Sequence, residues 1–396
     1  MSDVEHRETI PLSIPVVAGN EWEYVKECLD TGYLAAGPML DRFEDALTAL
    51  TGAKHAIPCA SGTAALHVAL IAAGVDPGDA VIVPTITFAA TVNSAAYAGA
   101  QPVFIGCDEH LNLDPEAVDA FLTEECVPGS GGPILRSTGQ RVAAMVPVHV
   151  FGVPCDMAAI LATAKKHGVA VVEDAAESVG STWTAGSLAG RHTGTVGDSG
   201  ILSFNGNKVV TCGGGGAVLT DSDDAAARVR YLIDQAKDDA VRYVHGEVGF
   251  NYRLTTTAAA IGVAQLERLD AIIDAKRRSL EHYRERLSGL PGLSLMGEPE
   301  GTFWNHWFFS LIVEPTEAGI DREQLMSSLD ADGIQSRPLW YPNHLQKAYT
   351  GAIAYRVERA IWFWERVLNL PCSSNLTAEQ IDRVCDSIEA ALGNGA

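Results

Sequence analysis

The chain of 396 residues, 47% hydrophobic and 20% charged, has ordinary globular composition and enough length for one large core plus a smaller domain. Its formal charge of -22 at pH 7 excludes an extended phosphate-tracking surface for nucleic acid or an anionic membrane, because such surfaces need clustered Lys and Arg. An anionic ligand must therefore be held by a local group of cations and backbone N–H donors.

The opening stretch MSDVEHRETIPLSIP has neither the basic region nor the apolar core of a secretion signal. No run approaches the ~20 apolar residues of a membrane span. A soluble, cytoplasmic protein is predicted. The eight cysteines form no C-x-x-C pair and suggest neither a disulfide framework nor a zinc site, so no metal is expected.

In chain order, a helix opens at Asn20, with Glu23 as a capping-box partner, and stops near Gly32. Strand-like residues 56–59 lead into a helix over 62–73 (GTAALHVALIAA), closed by Gly74 in a C-cap position. The N-terminus of that helix faces the strand ends. Apolar runs at 80–84 (AVIVP), 102–105 (PVFI), 142–148 (VAAMVPV) and 169–173 (VAVVE), separated by amphipathic stretches, read as βα units of a largely parallel sheet with helices on both faces. Residues 123–139, rich in Gly, Ser and Pro, read as a surface loop. From 255 to about 287 the pattern is that of a single long helix, first rich in Ala and then alternating Arg and Glu. Beyond it a strand over 307–313, a helix over 322–332 and a final helix over 377–392 predict a small α+β domain. The expected division is 1–255 for a large domain with an N-terminal arm, and 256–396 for the connecting helix and the small domain.

Chemistry concentrates between residues 169 and 217. A buried strand delivers Glu173 and Asp174 at its C-terminal end, where ligands bind in parallel α/β sheets. Residues 200–218 (GILSFNGNKVVTCGGGGAV) then place Ser203, Asn205, Asn207 and Lys208 in one loop, followed by four glycines. An amine five residues after a serine, with an Asp on a neighbouring strand, is the group set of a pyridoxal-phosphate (PLP) site: a Schiff-base lysine, a hydroxyl for the phosphate and a carboxylate for the pyridine nitrogen. Two bland alternatives stand beside this reading: Asp174 as a helix N-cap and Lys208 as a solvated surface lysine.

Along nearly its whole length the sequence resembles the DegT/DnrJ/EryC1/StrS family of sugar aminotransferases. The motifs that carry the likeness are residues 14–32 (IPVVAGNEWEYVKECLDTG), 61–66 (SGTAAL), 84–90 (PTITFAA), 173–180 (EDAAESVG), 203–208 (SFNGNK), 249–255 (GFNYRLT) and 337–344 (RPLWYPNH). The resemblance implies a fold-type-I PLP-dependent transferase, aspartate aminotransferase-like, with a large mostly parallel sheet and a smaller α+β C-terminal domain. It implies Lys208 as the Schiff-base lysine, Asp174 as the partner of the pyridine nitrogen, and Ser203, Gly62 and Thr63 as phosphate ligands. The last two also open a helix, whose free N–H groups and dipole favour an anion. Phe88 falls where the family puts an aromatic on the cofactor ring, and Asn205 lies in the lysine loop. Glu177 stands where many members carry Gln for the cofactor's phenolic oxygen, a bond a carboxyl makes only when protonated or bridged. Asn251 matches a residue sent across a dimer interface to the neighbour's phosphate, which implies a homodimer with shared sites.

In the second domain His306, Arg337, Trp340, Tyr341 and His344, with Trp304 and Trp307, suit a sugar face and a diphosphate, with Arg337 and His344 as the diphosphate's cations; Trp307 and Trp340 suit core anchors equally well. The implied reaction passes an amino group from L-glutamate, through pyridoxamine 5'-phosphate, to a nucleotide-linked keto-sugar. Within the family the motifs are most similar to the 4-aminotransferases of bacillosamine and legionaminic acid synthesis, whose substrates are UDP- or GDP-linked 4-keto-6-deoxy-N-acetylhexosamines. A 3-aminotransferase, a dehydratase of the same fold and a non-catalytic regulator are the competing readings; the dehydratases typically carry His where Lys208 stands.

Overall fold

The structure, a computed structural model, describes residues 8–239 and 241–393. The first seven residues of the opening stretch, Ala240 and the last three residues, all inside the expected domain ranges, lie outside the described residues. The first part of the chain forms α1 (Glu21–Thr31), α2 (Pro38–Thr51), β1 (His55–Cys59), α3 (Gly62–Ala72), β2 (Ala80–Pro84), α4 (Ala89–Tyr97), β3 (Gln101–Ile105), α5 (Pro115–Glu124), β4 (Val142–Met145), α6 (Met157–His167), β5 (Ala170–Asp174), β6 (Ser199–Ser203), β7 (Gly216–Thr220) and α7 (Asp223–Ile233). It continues through α8 (Thr256–Leu266), α9 (Leu269–Leu287), β8 (Leu293–Leu295), β9 (Phe309–Val313), α10 (Arg322–Ala331), β10 (Arg337–Pro338), β11 (Ile353–Tyr355), α11 (Glu358–Arg366), β12 (Val367–Leu370) and α12 (Ala378–Gly393).

Eight strands form the large sheet in the order β1-β7-β6-β5-β4-β2-β3-β11. From β6 to β11 every pairing is parallel, while β7 runs antiparallel to both β6 and β1. Strands covered by helices on both faces bury every side chain, which is why β2 reads as an unbroken apolar run and all five of its residues are buried. A second sheet, all antiparallel, takes the order β8-β9-β12-β10. All eight cysteines are free and buried. Among the described residues no helix is long and apolar enough to cross a membrane.

Four local expectations change. The predicted long helix is two, α8 and α9, broken at Glu267 and Arg268. No Pro or Gly marks the break. It arises because the two halves pack on different partners, α8 against α1 and α2, and α9 against α12. The expected capping box is also absent: the Asn20 backbone (φ -87°, ψ 14°) lies outside the extended region that a capping side chain needs, and its Nδ2 donates instead to Glu267 Oε2 at 2.8 Å while Tyr24 Oη donates to Glu267 Oε1 at 2.7 Å. Within the predicted loop at 123–139, Cys126–Val127 pairs with Ile134–Leu135. Finally, β11 of the C-terminal part pairs in parallel with β3, so that part contributes an edge strand to the large sheet.

Candidate active site

The C-terminal ends of β5 and β6, the start of α3 and the segment from β2 into α4 meet β10 and β12 of the small sheet around a cavity of about 690 Å³. Ser61, Gly62, Thr63, Thr87, Phe88, Thr91, Asp174, Glu177, Ser203, Asn205, Lys208, Trp307, Arg337, Trp340, Tyr341 and Asn369 all reach its wall. Lys208 is brought there by a loop closed at its base, where Phe204 N donates to Gly215 O and Cys212 N to Phe204 O, both at 2.9 Å. The buried ring of Phe204 packs on Phe43, centroids 5.1 Å apart, and fixes that base in the core.

The Lys208 side chain is only 12% exposed. Its Nζ lies 3.7 Å from the Trp307 ring centroid and 3.4 Å from Glu177 Oε1. Burial lowers the pKa of this amine, against the opposing fields of Glu177 and Asp174, and so raises the share of the neutral, nucleophilic form. Trp307 itself is anchored by its indole N–H, which donates to Asn207 O at 2.7 Å.

Asp174 ends β5 with its carboxylate buried. Thr91 Oγ1 donates to Oδ2 at 2.7 Å and Ala176 N to Oδ1 at 3.1 Å. Because the Thr91 hydroxyl spends its proton on Asp174, Thr87, 2.8 Å away, must donate to Thr91. Burial raises the Asp174 pKa despite these donors. A cationic partner would therefore be drawn to it strongly. Glu177 takes a 2.7 Å bond from Phe151 N, and burial pushes its carboxyl up to about 7 against the pull of Lys208. Asn305 holds the Glu177 backbone, donating from Nδ2 to Glu177 O at 2.8 Å and to Val179 O at 3.0 Å. Glu173 is different in kind. Burial alone would raise its pKa, but His149 and the backbone N–H groups of Gly194, Val196 and Gly197 hold it below the usual range and tie it into the fold.

Opposite the carboxylates, Ser61 Oγ caps Ala64 N at 3.1 Å and leaves the first two N–H groups of α3, those of Gly62 and Thr63, without intrahelical acceptors. Ser203 stands against this opening so closely that a Cβ on Gly62 would lie 2.8 Å from Ser203 Cβ, and one on Gly216 would lie 2.5 Å from the Ser61 carbonyl carbon. Two glycines and a serine thus shape an anion cradle at a helix N-terminus.

A family model described as the DegT/DnrJ/EryC1/StrS aminotransferase family matches residues 15–389. The chain belongs to that family. It is 39% identical to a GDP-perosamine synthase of Caulobacter vibrioides over 99% of this chain and 100% of the relative. With one from Vibrio cholerae it is 36% identical, over 96% and 98%. Among solved structures, DesI in the presence of its TDP-sugar product superposes with a TM-score of 0.87 at 30% identity, covering 98% of this chain and 94% of that one. A family member from Brucella abortus gives 0.84 at 28%, covering 94% and 95%. The protein is a PLP-dependent aminotransferase of nucleotide-linked sugars. The cavity fits that cofactor: it joins one buried amine, two buried carboxylates and an anion cradle that any Cβ at 62 or 216 would fill.

Four residues offered for the cofactor or the sugar, Trp304, His306, His344 and Asn251, do not reach the cavity. His306 is buried beside Trp304, ring centroids 4.5 Å apart, and burial together with Arg277, Arg284 and Lys276 pushes its pKa down to about 3, so it faces the core as a neutral ring. His344 lies 2.6 Å from Thr85 Oγ1 through Nδ1, and with Asn343, which donates to Thr87 O at 2.7 Å, it pins residues 337–344 to the end of β2. His344, expected beside Arg337 on a diphosphate, is thus not among the residues that line the cavity with Arg337. Asn251 is exposed and is not among the residues that line its own chain's cavity. Trp340, by contrast, lines the cavity and packs on Phe151 at 4.7 Å and Phe88 at 6.3 Å, serving as wall and anchor together. Sequence reasoning missed Thr91, Phe151 and Asn369. Only Thr91 leaves a signal, a second threonine four residues after Thr87 at the start of a helix.

Proposed function

We propose that this enzyme moves the amino group of L-glutamate to C4 of a GDP-linked 4-keto-6-deoxy sugar, working in the cytoplasm as a homodimer. The observation that carries the reading is the end-to-end similarity to proteins named GDP-perosamine synthase, which favours GDP over UDP and a 4-amino product. PLP, when bound, accepts the electron pair left on carbon as a proton departs. In this reading Lys208 Nζ would hold the cofactor covalently until the donor's amine takes its place, and the freed amine would then take the proton from the donor's α-carbon and later deliver one to the sugar's C4. Asp174 keeps the pyridine nitrogen protonated, steadied by the Thr87–Thr91 chain, while Ser203 and the N–H groups of Gly62 and Thr63 hold the phosphate. Glu177, at about 7, is protonated often enough at neutral pH to donate to the phenolic oxygen. Phe88, Asn205, Trp340 and Tyr341 line the same cavity, where Phe88 would cover the cofactor ring, Asn205 would help hold the phosphate, and Trp340 and Tyr341 would take the sugar.

The test is mass spectrometry of products from GDP- and UDP-linked 4-keto-6-deoxy sugars, with and without an N-acetyl group, and from their 3-keto counterparts, using L-glutamate as donor. Amination of the GDP-linked hexose is expected to exceed that of the UDP-linked ones by at least about tenfold. Lys208→Ala is expected to yield no amino sugar. Amination of a 3-keto sugar alone would overturn the substrate assignment.

A further inference from the structure

Arg337 on β10 and Asn369 on β12 are directly opposed across an antiparallel pair, so their side chains rise from one face with Cβ atoms about 4.5–5.5 Å apart, and both line the cavity. Asn369 is 3% exposed. Its Oδ1 accepts a 2.7 Å bond from Ser310 Oγ on β9, which fixes the amide so that Nδ2 is the end left over, and no acceptor for that nitrogen exists among the described residues. Arg337 gives one donor to Ser336 O at 2.8 Å, and no carboxylate among the described residues pairs with it. Of the side chains on the cavity wall only Lys208 and Arg337 are cationic. A guanidinium fork beside an unpaired buried amide, with no protein anion to satisfy either, is a site for a planar anion.

We propose that Arg337 and Asn369 bind the α-carboxylate of the amino-acid donor, an inference that rests on the aminotransferase reading above. The burial of Asn369 favours the smaller of the two anionic substrates. A donor whose α-carbon reacts at Lys208 carries its carboxylate one bond away and brings it deep into the cavity, where a buried amide can reach it. The diphosphate of a sugar nucleotide is separated from C4 by the sugar ring and falls nearer the mouth. Asn369 is the specificity residue of the pair, because its orientation is set by Ser310 before any ligand arrives.

The test separates the two half-reactions in the holoenzyme by following cofactor absorbance after mixing with the amino donor or with the amino-sugar product. In Arg337→Gln and Asn369→Ala the donor Kd is expected to rise by about tenfold or more, and further in Asn369→Asp, whose carboxylate repels the ligand. The sugar half-reaction is expected to change by less than about threefold. Calorimetric binding of glutarate, an unreactive dicarboxylate, is expected to weaken with the donor, and Ser310→Ala to give a smaller loss in the same direction. Equal damage to both half-reactions in Arg337→Gln, an exposed position where folding is safe, overturns the proposal, as does unchanged glutarate affinity in Asn369→Ala. The donor used is whichever α-amino acid discharges the wild-type enzyme, so failure of L-glutamate itself would correct the donor named above while the carboxylate site is still judged with the donor that works.

Discussion

Asp174 and Glu177 sit three residues apart on one short turn, and both are buried, yet their surroundings divide their work. Asp174 has two fixed donors and lacks only a cation; Glu177 has one backbone donor and a lysine amine 3.4 Å away. Asp174→Asn removes the charge that keeps a pyridine nitrogen protonated while preserving shape. Turnover is expected to fall by at least about 100-fold with cofactor affinity changing far less; activity within a few-fold of wild type would reassign Asp174 as a structural carboxylate that holds the turn through Ala176 N and Thr91. Glu177 gives a pH signature. Its folded pKa of about 7 lies above the unfolded value near 4.5, so its contribution to stability is fully present below 4.5 and is lost as pH rises through 7. Thermal melts of cofactor-free wild type and Glu177→Gln from pH 4.5 to 8 are expected to converge or cross, the wild type losing a few degrees relative to the variant as pH rises. Parallel curves would mean that Glu177 does not titrate in this window.

At the scale of elements, the cradle depends on how closely β7 passes the start of α3. A methyl at 216 meets backbone atoms at 2.5 and 2.6 Å, which no side-chain rotation relieves. Gly216→Ala is expected to move the strand or the helix at a cost of about 1–3 kcal/mol and to weaken PLP binding by more than about tenfold; equilibrium dialysis and a melting curve check both. At Gly214, where a Cβ meets nothing within 4 Å, Ala is expected to be tolerated on steric grounds. The four glycines were visible in the sequence, but which of them matters was not, because close approach is a property of two segments 150 residues apart. The same contrast runs through the fold. Buried parallel strands announce themselves as apolar runs, and the α3 opening as a glycine after a strand, because these signals are local. The break between α8 and α9 has no local cause, the strand β11 is too short and half-buried to show a period, and Asn369 becomes informative only through its pairing with Arg337 and its bond from Ser310. His306 and His344 misled because an aromatic and cationic cluster in sequence does not say which faces turn inward.

At the scale of the molecule, large apolar side chains remain open on and beside α1: Trp22 is 72% exposed, Leu29 58% and Tyr33 55%. Such a surface is uncommon on a free monomer and suits the proposed homodimer. Asn251 extends the argument to catalysis. It is exposed and absent from its own cavity, yet its neighbour Tyr252 accepts a 2.7 Å bond from Ala60 N, just before the α3 cradle. The proposed homodimer gives such an exposed residue a role in the partner's site rather than in its own. Hybrid dimers test this. Asn251→Ala homodimers are expected to lose cofactor affinity by about tenfold, and Lys208→Ala homodimers to be inactive. When differently tagged Lys208→Ala and Asn251→Ala subunits are refolded together and the hybrids isolated, service across the interface leaves one site with both lesions and the other with neither. The hybrid then shows half the wild-type turnover and wild-type cofactor affinity at its one working site. If Asn251 acts within its own chain, the intact lysine always sits beside the altered asparagine, and the hybrid binds cofactor no better than the Asn251→Ala parent. That second result would remove Asn251 from the partner's site and leave the exposed face of α1 as the remaining argument for the dimer.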